Sequence, residues 1–145
     1  MKTVQRDESY SKKMNRLIIL DSGPLSMISH PKATGITLAC KKWFDGQIAR
    51  NTVCAISAIA DYEVRRELMR GKKSDGLKLL DDLRNTIRYI PISVEILDKA
   101  AELWAQARNQ GTPAAPNLAL DADMIVAAQA ICLQKEGWDV IIATY

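Results

Sequence analysis

This sequence is short of the residues that build metal–thiolate and disulfide chemistry: one histidine, three cysteines and a single phenylalanine in 145 residues. His30 stands alone, and Cys40, Cys54 and Cys132 are odd in number and far apart, which argues against both a Cys/His zinc site and a disulfide framework. Reduced thiols in a cytoplasmic protein fit that usage best. Long hydrophobic runs are missing too, so no membrane span is expected, and polar residues 1–13 lack the apolar core of a signal peptide. Excess charge of one sign is also lacking. With 20 Lys and Arg against 17 Asp and Glu, the net charge of +3 is too small to announce a nucleic-acid binder, though it would not oppose an approach to phosphate. What remains is ordinary globular composition, 48% apolar and 26% charged, at a length that fits one domain with a sizeable core.

Residues 1–15 read as a disordered tail, and Met14 is an equally good start for the chain. The organising stretch follows at Leu17 to Pro24. Four consecutive large apolar residues, Leu17 to Leu20, predict a strand covered on both faces, which means a parallel sheet between helical layers. Ligands bind beyond the carboxyl ends of such strands, and Asp21 sits there. Asp21 also has a plainer reading, as an acceptor for the amides of a Ser22-Gly23-Pro24 turn.

Downstream, the pattern predicts a short helix or loop over Leu25 to His30, an amphipathic helix from Ile36 to Arg50, a strand from Thr52 to Ser57 and a helix from Ala58 to Met69. A helix over Leu77 to Thr86 and a strand over Ile87 to Ile92 come next, and Pro91 suggests an edge position for that strand. Ser93 caps a helix whose stripe of Leu97, Ala100, Ala101 and Trp104 places Trp104 in the core. Gly111 and Pro113 end it, and residues 112–117 form a loop. A helix over Leu118 to Gln134 and a strand over Val140 to Thr144 complete an α/β order with right-handed crossovers. His30, in a cluster of breakers, receives no role.

The acids fall into different settings. Glu63 lies at i+7 from Ile56 and i+4 from Ile59, along a core-facing stripe, where a carboxylate needs a partner or a cation; Arg66 at i+3 is the structural alternative. Asp61 reads as an early-helix acid favourable to the macrodipole, and Glu67 as a surface charge close to Arg70. Asp121 and Asp123 open an apolar helix, where either one could be a cap. Arg65, Arg66, Arg70, Lys72 and Lys73 form the densest basic stretch, read either as a solvated helix end or as a phosphate contact. If Asp21, Glu63 and Asp123 converge at one sheet edge, a hard divalent cation is the simplest way to keep them ionised, and oxygen donors alone favour magnesium or manganese over zinc.

Three segments carry a family resemblance: Ile-Leu-Asp-Ser-Gly-Pro-Leu at 19–25, Ile-Ala-Asp-Tyr-Glu-Val-Arg-Arg-Glu-Leu at 59–68 and Leu-Asp-Ala-Asp-Met-Ile-Val-Ala-Ala-Gln-Ala at 120–130. They are closed by Val-Ile-Ile-Ala-Thr at 140–144. In this order they resemble the PIN-domain nucleases, including VapC-like toxins, over residues 16–145. The resemblance implies a PIN-like three-layer α/β/α fold with a central parallel sheet and a Mg2+- or Mn2+-dependent endoribonuclease, the toxin of a toxin–antitoxin pair. It places Asp21, Glu63 and Asp123 at the acidic metal-binding and catalytic positions and leaves Asp121 as an accessory acid. RNA, an antitoxin protein and a second copy of the chain are the implied partners. PIN domains usually continue past the last strand into another acid-bearing turn and a further helix and strand, so the resemblance implies a domain lacking its C-terminal end. A catalytically inactive PIN-like module that binds RNA or protein is the alternative. A phosphoacceptor or haloacid-dehalogenase-like use of Asp21 would expect a second acid two residues on, where the chain has Gly23.

Overall fold

The computed structural model of the chain describes residues 15–110 and 117–144, residues 117–120 by backbone only. The expected tail and the loop after Gly111 lie outside the described residues, apart from Asn15 at the tail's end and Asn117, which opens a helix. Ten elements follow in order: β1 (Arg16–Leu20), α1 (Ser22–Ile28), α2 (Gly35–Ala49), β2 (Val53–Ser57), α3 (Ala58–Arg70), α4 (Ser74–Thr86), β3 (Arg88–Ile90), α5 (Val94–Asn109), α6 (Asn117–Lys135) and β4 (Asp139–Ala143). The strands form one all-parallel sheet in the order β3-β2-β1-β4, with β1 in the interior and β3 at an edge as Pro91 suggested.

The reason is visible in β1. Successive side chains of a strand point to opposite faces, and here both faces are covered. Leu17 and Ile19 pack with Ile96, Ala100, Val126 and Ala128 of α5 and α6. Ile18 and Leu20 pack with Leu25, Phe44, Val64 and Leu80 of α1 to α4. All four apolar residues of β1 are buried, so a continuous apolar run rather than an alternating one is what this position demands. The result is three layers, α/β/α.

Several local expectations shift. The Ser22-Gly23-Pro24 stretch is the first turn of α1 rather than a turn on its own. Asp21 is the N-cap, its side chain accepting from the Ser22 amide, and Pro24 sits in the first turn, where a missing N–H costs nothing. α4 begins at Ser74, ahead of the expected Leu77, and buries Gly76 where α4 meets α3: a Cβ there would stand 2.8 Å from the tip of Leu68. In α5 the buried stripe is Ile96 and Ala100, with Leu103 half-buried, one residue out of phase with the expected one. Trp104 is therefore 39% exposed rather than core, with the Arg108 guanidinium 4.7 Å from its ring centre. No helix among the described residues is long and apolar enough to cross a membrane.

Candidate active site

Asp21, Glu63 and Asp123 stand on three different elements, and β1 places the first. Its ladder with β4 continues one residue past the strand, the Asp21 amide donating to the Ala143 carbonyl at 3.0 Å. The Ser22 amide then donates to Asp21 Oδ1 at 2.8 Å, which fixes the carboxylate at the carboxyl end of an interior strand. The plain capping reading of Asp21 is thus realised, and among the described residues Oδ2 carries no hydrogen bond.

β2 runs into α3 without a loop, Ser57 serving as N-cap, so Glu63 lies in the second turn beyond the sheet edge. It does not lie on the core stripe. Ile56 belongs to β2, and the buried residues of α3 are Ala60, Asp61 and Val64, which leaves Glu63 half-buried on the flank. No ion pair joins Glu63 to Arg66 among the described residues, although Arg66's charge acts on it. The Glu63 carboxyl is pushed up by partial burial first, then by the negative charges of Asp21 and Asp123, against the opposing pull of Arg66.

α6 begins at Asn117, so Asp121 and Asp123 fall in its second turn and neither is a cap. Loss of hydration at its carboxyl, then the charge of Asp21, pushes the pKa of Asp123 up, although the residue as a whole is largely exposed. Asp121 lines a shallow groove with Leu97, Trp104 and Met124 between α5 and α6, and its charge is not among those that act on Glu63 or Asp123.

Glu63 and Asp123 therefore both lie within reach of the Asp21 charge at the carboxyl end of the sheet. The three acids are not gathered around a point: among the described residues, no three metal-ligating side chains meet closely enough to hold one ion as they stand. Their donor chemistry still fits a hard cation, since all three are carboxylates and neither thiolate nor imidazole competes.

Two residues escaped the sequence reading. Gln129 is fully buried in α6; its Oε1 accepts from Ser57 Oγ at 2.6 Å and its Nε2 donates to the Ile90 carbonyl at 3.0 Å. One amide thereby ties α6 to the carboxyl ends of β2 and β3 and fixes the helix that carries Asp123. A lone polar residue inside Ala-Ala-Gln-Ala was the available signal. The other is Asp61, which stands in the first turn of α3 as expected but is buried at 4% exposure, a burial the sequence reading did not find. It pairs with Arg65 at 3.1 Å and Arg84 at 3.3 Å, and Arg65 reaches Asp81 at 2.7 Å. Arg65 is thus spent inside the fold, with its Nε buried and unpartnered, and its i+4 spacing from Asp61 was the missed clue. Glu67 does pair with Arg70 at 2.8 Å on the surface, as expected.

Glu63 also borders an open cleft of about 580 Å³ between α1 and α3, with Ser22 and Gly23 on one side and Arg66, Arg70 and Lys73 on the other.

No family model matches the sequence, and no curated protein matches it. Solved structures do. The fold matches a chain of VapBC2 from Rickettsia felis, bound to a DNA fragment from its promoter, with a TM-score of 0.63 at 18% identity, over 89% of this chain and 98% of that one. It matches FitAcB from Neisseria gonorrhoeae at 0.60 and 24% identity, over 88% and 86%. It matches the sarcin-ricin loop cleaving toxin VapC20 from Mycobacterium tuberculosis at 0.62 and 14% identity, over 88% and 89%. The parallel β3-β2-β1-β4 sheet between its two helical layers is the PIN-like fold of VapC-type toxins.

Proposed function

We propose that the chain is a divalent-metal-dependent endoribonuclease acting as the toxin of a toxin–antitoxin pair. The observation that carries the reading is the mutual charge of Asp21, Glu63 and Asp123 at the carboxyl end of a parallel sheet, with no cationic side chain paired to any of them among the described residues. Like charges held together without a partner are costly in a structural role and useful in a cation site.

Asp21, Glu63 and Asp123 would hold Mg2+ or Mn2+, with Asp21 as the fixed member because strand, cap and ladder bond all set its position. Asp121 is left out of this assignment, since it faces the α5 groove. Bound there, such an ion lowers the pKa of a water and stabilises the leaving oxygen of a phosphodiester, so the protein needs no covalent nucleophile. The protein's own part is to fix the Asp21 carboxylate through the Ser22 amide and to hold Asp123 in register through Gln129. A toxin role is supported by the fold shared with VapBC2 and with VapC20, a sarcin-ricin loop cleaving toxin.

The test is cleavage of mixed single-stranded and structured RNA by the purified protein with Mg2+, Mn2+ or EDTA, with Asp21→Asn alongside. Asn caps a helix as well as Asp does, so that variant keeps the fold. Metal-dependent cutting abolished in Asp21→Asn is expected. Folded protein that cuts nothing with either metal, or Asp21→Asn that cuts like wild type, would contradict the reading.

A further inference from the structure

The cleft beside Glu63 does not end at α3. A second depression of about 580 Å³ shares Ser26, His30 and Lys73 with it and runs on to Lys32, Lys72 and the start of α4. Together they form one lane, with a carboxylate at its head and lysines along its length.

Those lysines are available. Among the described residues, Lys32, Lys72 and Lys73 form no side-chain ion pair, whereas Arg70 is committed to Glu67 and Arg65 to Asp61 and Asp81. Asp75 and Glu67, at or near the lane, are the acids it must accommodate. The backbone adds an independent observation. Lys72 has φ +54, the left-handed conformation that a glycine adopts without strain, while the neighbouring Gly71 sits at an ordinary φ of −82. The turn is closed by the Lys72 amide on the Met69 carbonyl and the Lys73 amide on the Leu68 carbonyl. A lysine thus stands where glycine would be easier, at the wall of the lane, and strained residues of this kind cluster at functional sites.

We propose that a single-stranded RNA backbone leaves the acidic site along this lane, its phosphates contacted by Lys73, then Lys72 and Lys32. The proposal rests on the ribonuclease reading above and adds the path. A single strand suits the lane because it is a narrow run of cations beside one open cleft between α1 and α3, and grooves that track a lone backbone with cations are the usual way such a strand is held. Arg66, beside Glu63 and 5.3 Å from the centre of the exposed Tyr62 ring, stands at the branch between the acids and the lane.

The experiment is binding of a fluorescent oligouridylate in EDTA over a range of salt, so that metal and cleavage play no part. For single strands the slope of log K against log salt is about −0.7 per phosphate neutralised, so Lys73→Gln and Lys72→Gly should each reduce its magnitude by about 0.7. Lys72→Gly should also raise the melting temperature by relieving the backbone, a gain in stability with a loss of binding that a purely structural role could not produce. Lys135→Gln, on the last turn of α6, should leave the slope unchanged, and duplex RNA of equal length should bind more weakly. Unchanged slopes in both lane variants, equal binding of duplex, or displacement of the RNA by an oligoglutamate peptide at matched charge would overturn the path. Cleavage reports separately: metal-dependent cutting with unchanged slopes leaves the nuclease and removes the lane, while reduced slopes without cutting leave the lane and remove the nuclease.

Discussion

α3 carries two carboxylates two residues apart, and the protein treats them in opposite ways. Asp61 turns inward and is met by two arginines, Arg65 and Arg84, with Asp81 extending the network to α4. Glu63 turns toward the sheet edge and meets Asp21 and Asp123, whose charges push its pKa up. The first cluster is balanced within the chain and holds α3, α4 and the edge of the sheet together. The second has no ion pair among the described residues, and only the charge of Arg66 opposes it there. Burial does not leave an acid unpaired here, since the more buried one is the paired one.

The comparison breaks most visibly at Asp61. Asp61→Ala leaves Arg65 and Arg84 with only the half-exposed Asp81 between them, and losing both charge-assisted bonds to the buried carboxylate should destabilise the fold by about 3 kcal/mol, read as the midpoint of urea denaturation. Asp21→Asn in the same assay, without metal, should stay within about 0.5 kcal/mol of wild type, because the cap survives. Equal losses in the two variants would erase the distinction between the clusters.

A smaller effect is expected where the balanced interior supports the unbalanced site. Gln129→Leu leaves the Ser57 hydroxyl and the Ile90 carbonyl without their partner, at a cost of about 2 kcal/mol. It should also weaken metal-dependent cleavage in protein that is still folded at the assay temperature, because α6 then loses its tie to the ends of β2 and β3. Full cleavage at reduced stability would make Gln129 a stability residue alone.

The smallest effect concerns pH. Glu63 and Asp123 carry folded pKa values raised above their unfolded ones, so between the usual carboxylate range and the raised values the folded chain binds more protons than the unfolded chain. Stability in EDTA should therefore rise as pH falls from neutral into that window, the reverse of the usual acid-side loss. Glu63→Gln should flatten this rise and stabilise the neutral protein by about 0.5 kcal/mol at most, since water screens half-exposed carboxylates. Thermal melts at pH steps from 7 down to about 5 read both effects.

Much of this was legible in the amino-acid order, for identifiable reasons. Leu17 to Leu20 announces an interior strand because all four residues, on both faces of the pleat, are buried, and Asp21 inherits its place from that strand. The acids at 63 and 123 were singled out through their segments, while the core stripe assigned to Glu63 gave way to a place on the flank of α3. Trp104 was misplaced because Ile96-Ala100-Leu103 and Leu97-Ala101-Trp104 satisfy helical spacing equally well, and the choice is made by how α5 seats against α6, which no spacing within α5 contains. Asp61 was read correctly as a first-turn acid suited to the helix dipole, but its burial depends on the arrival of Arg84 from α4, which the α3 sequence does not contain. Lys72 was legible only as one member of a basic stretch, since its left-handed backbone angle is not written in the residue order.

The claim that Asp21, Glu63 and Asp123 form one cation site is tested most directly by titrating the wild-type protein with Mn2+ at neutral pH, beside Asp21→Asn, Glu63→Gln and the surface control Glu67→Gln. The account predicts binding to wild type and Glu67→Gln, with affinity lowered at least about tenfold, or about 1.4 kcal/mol, in Asp21→Asn and in Glu63→Gln. Mn2+ binding that is indifferent to both substitutions would contradict it.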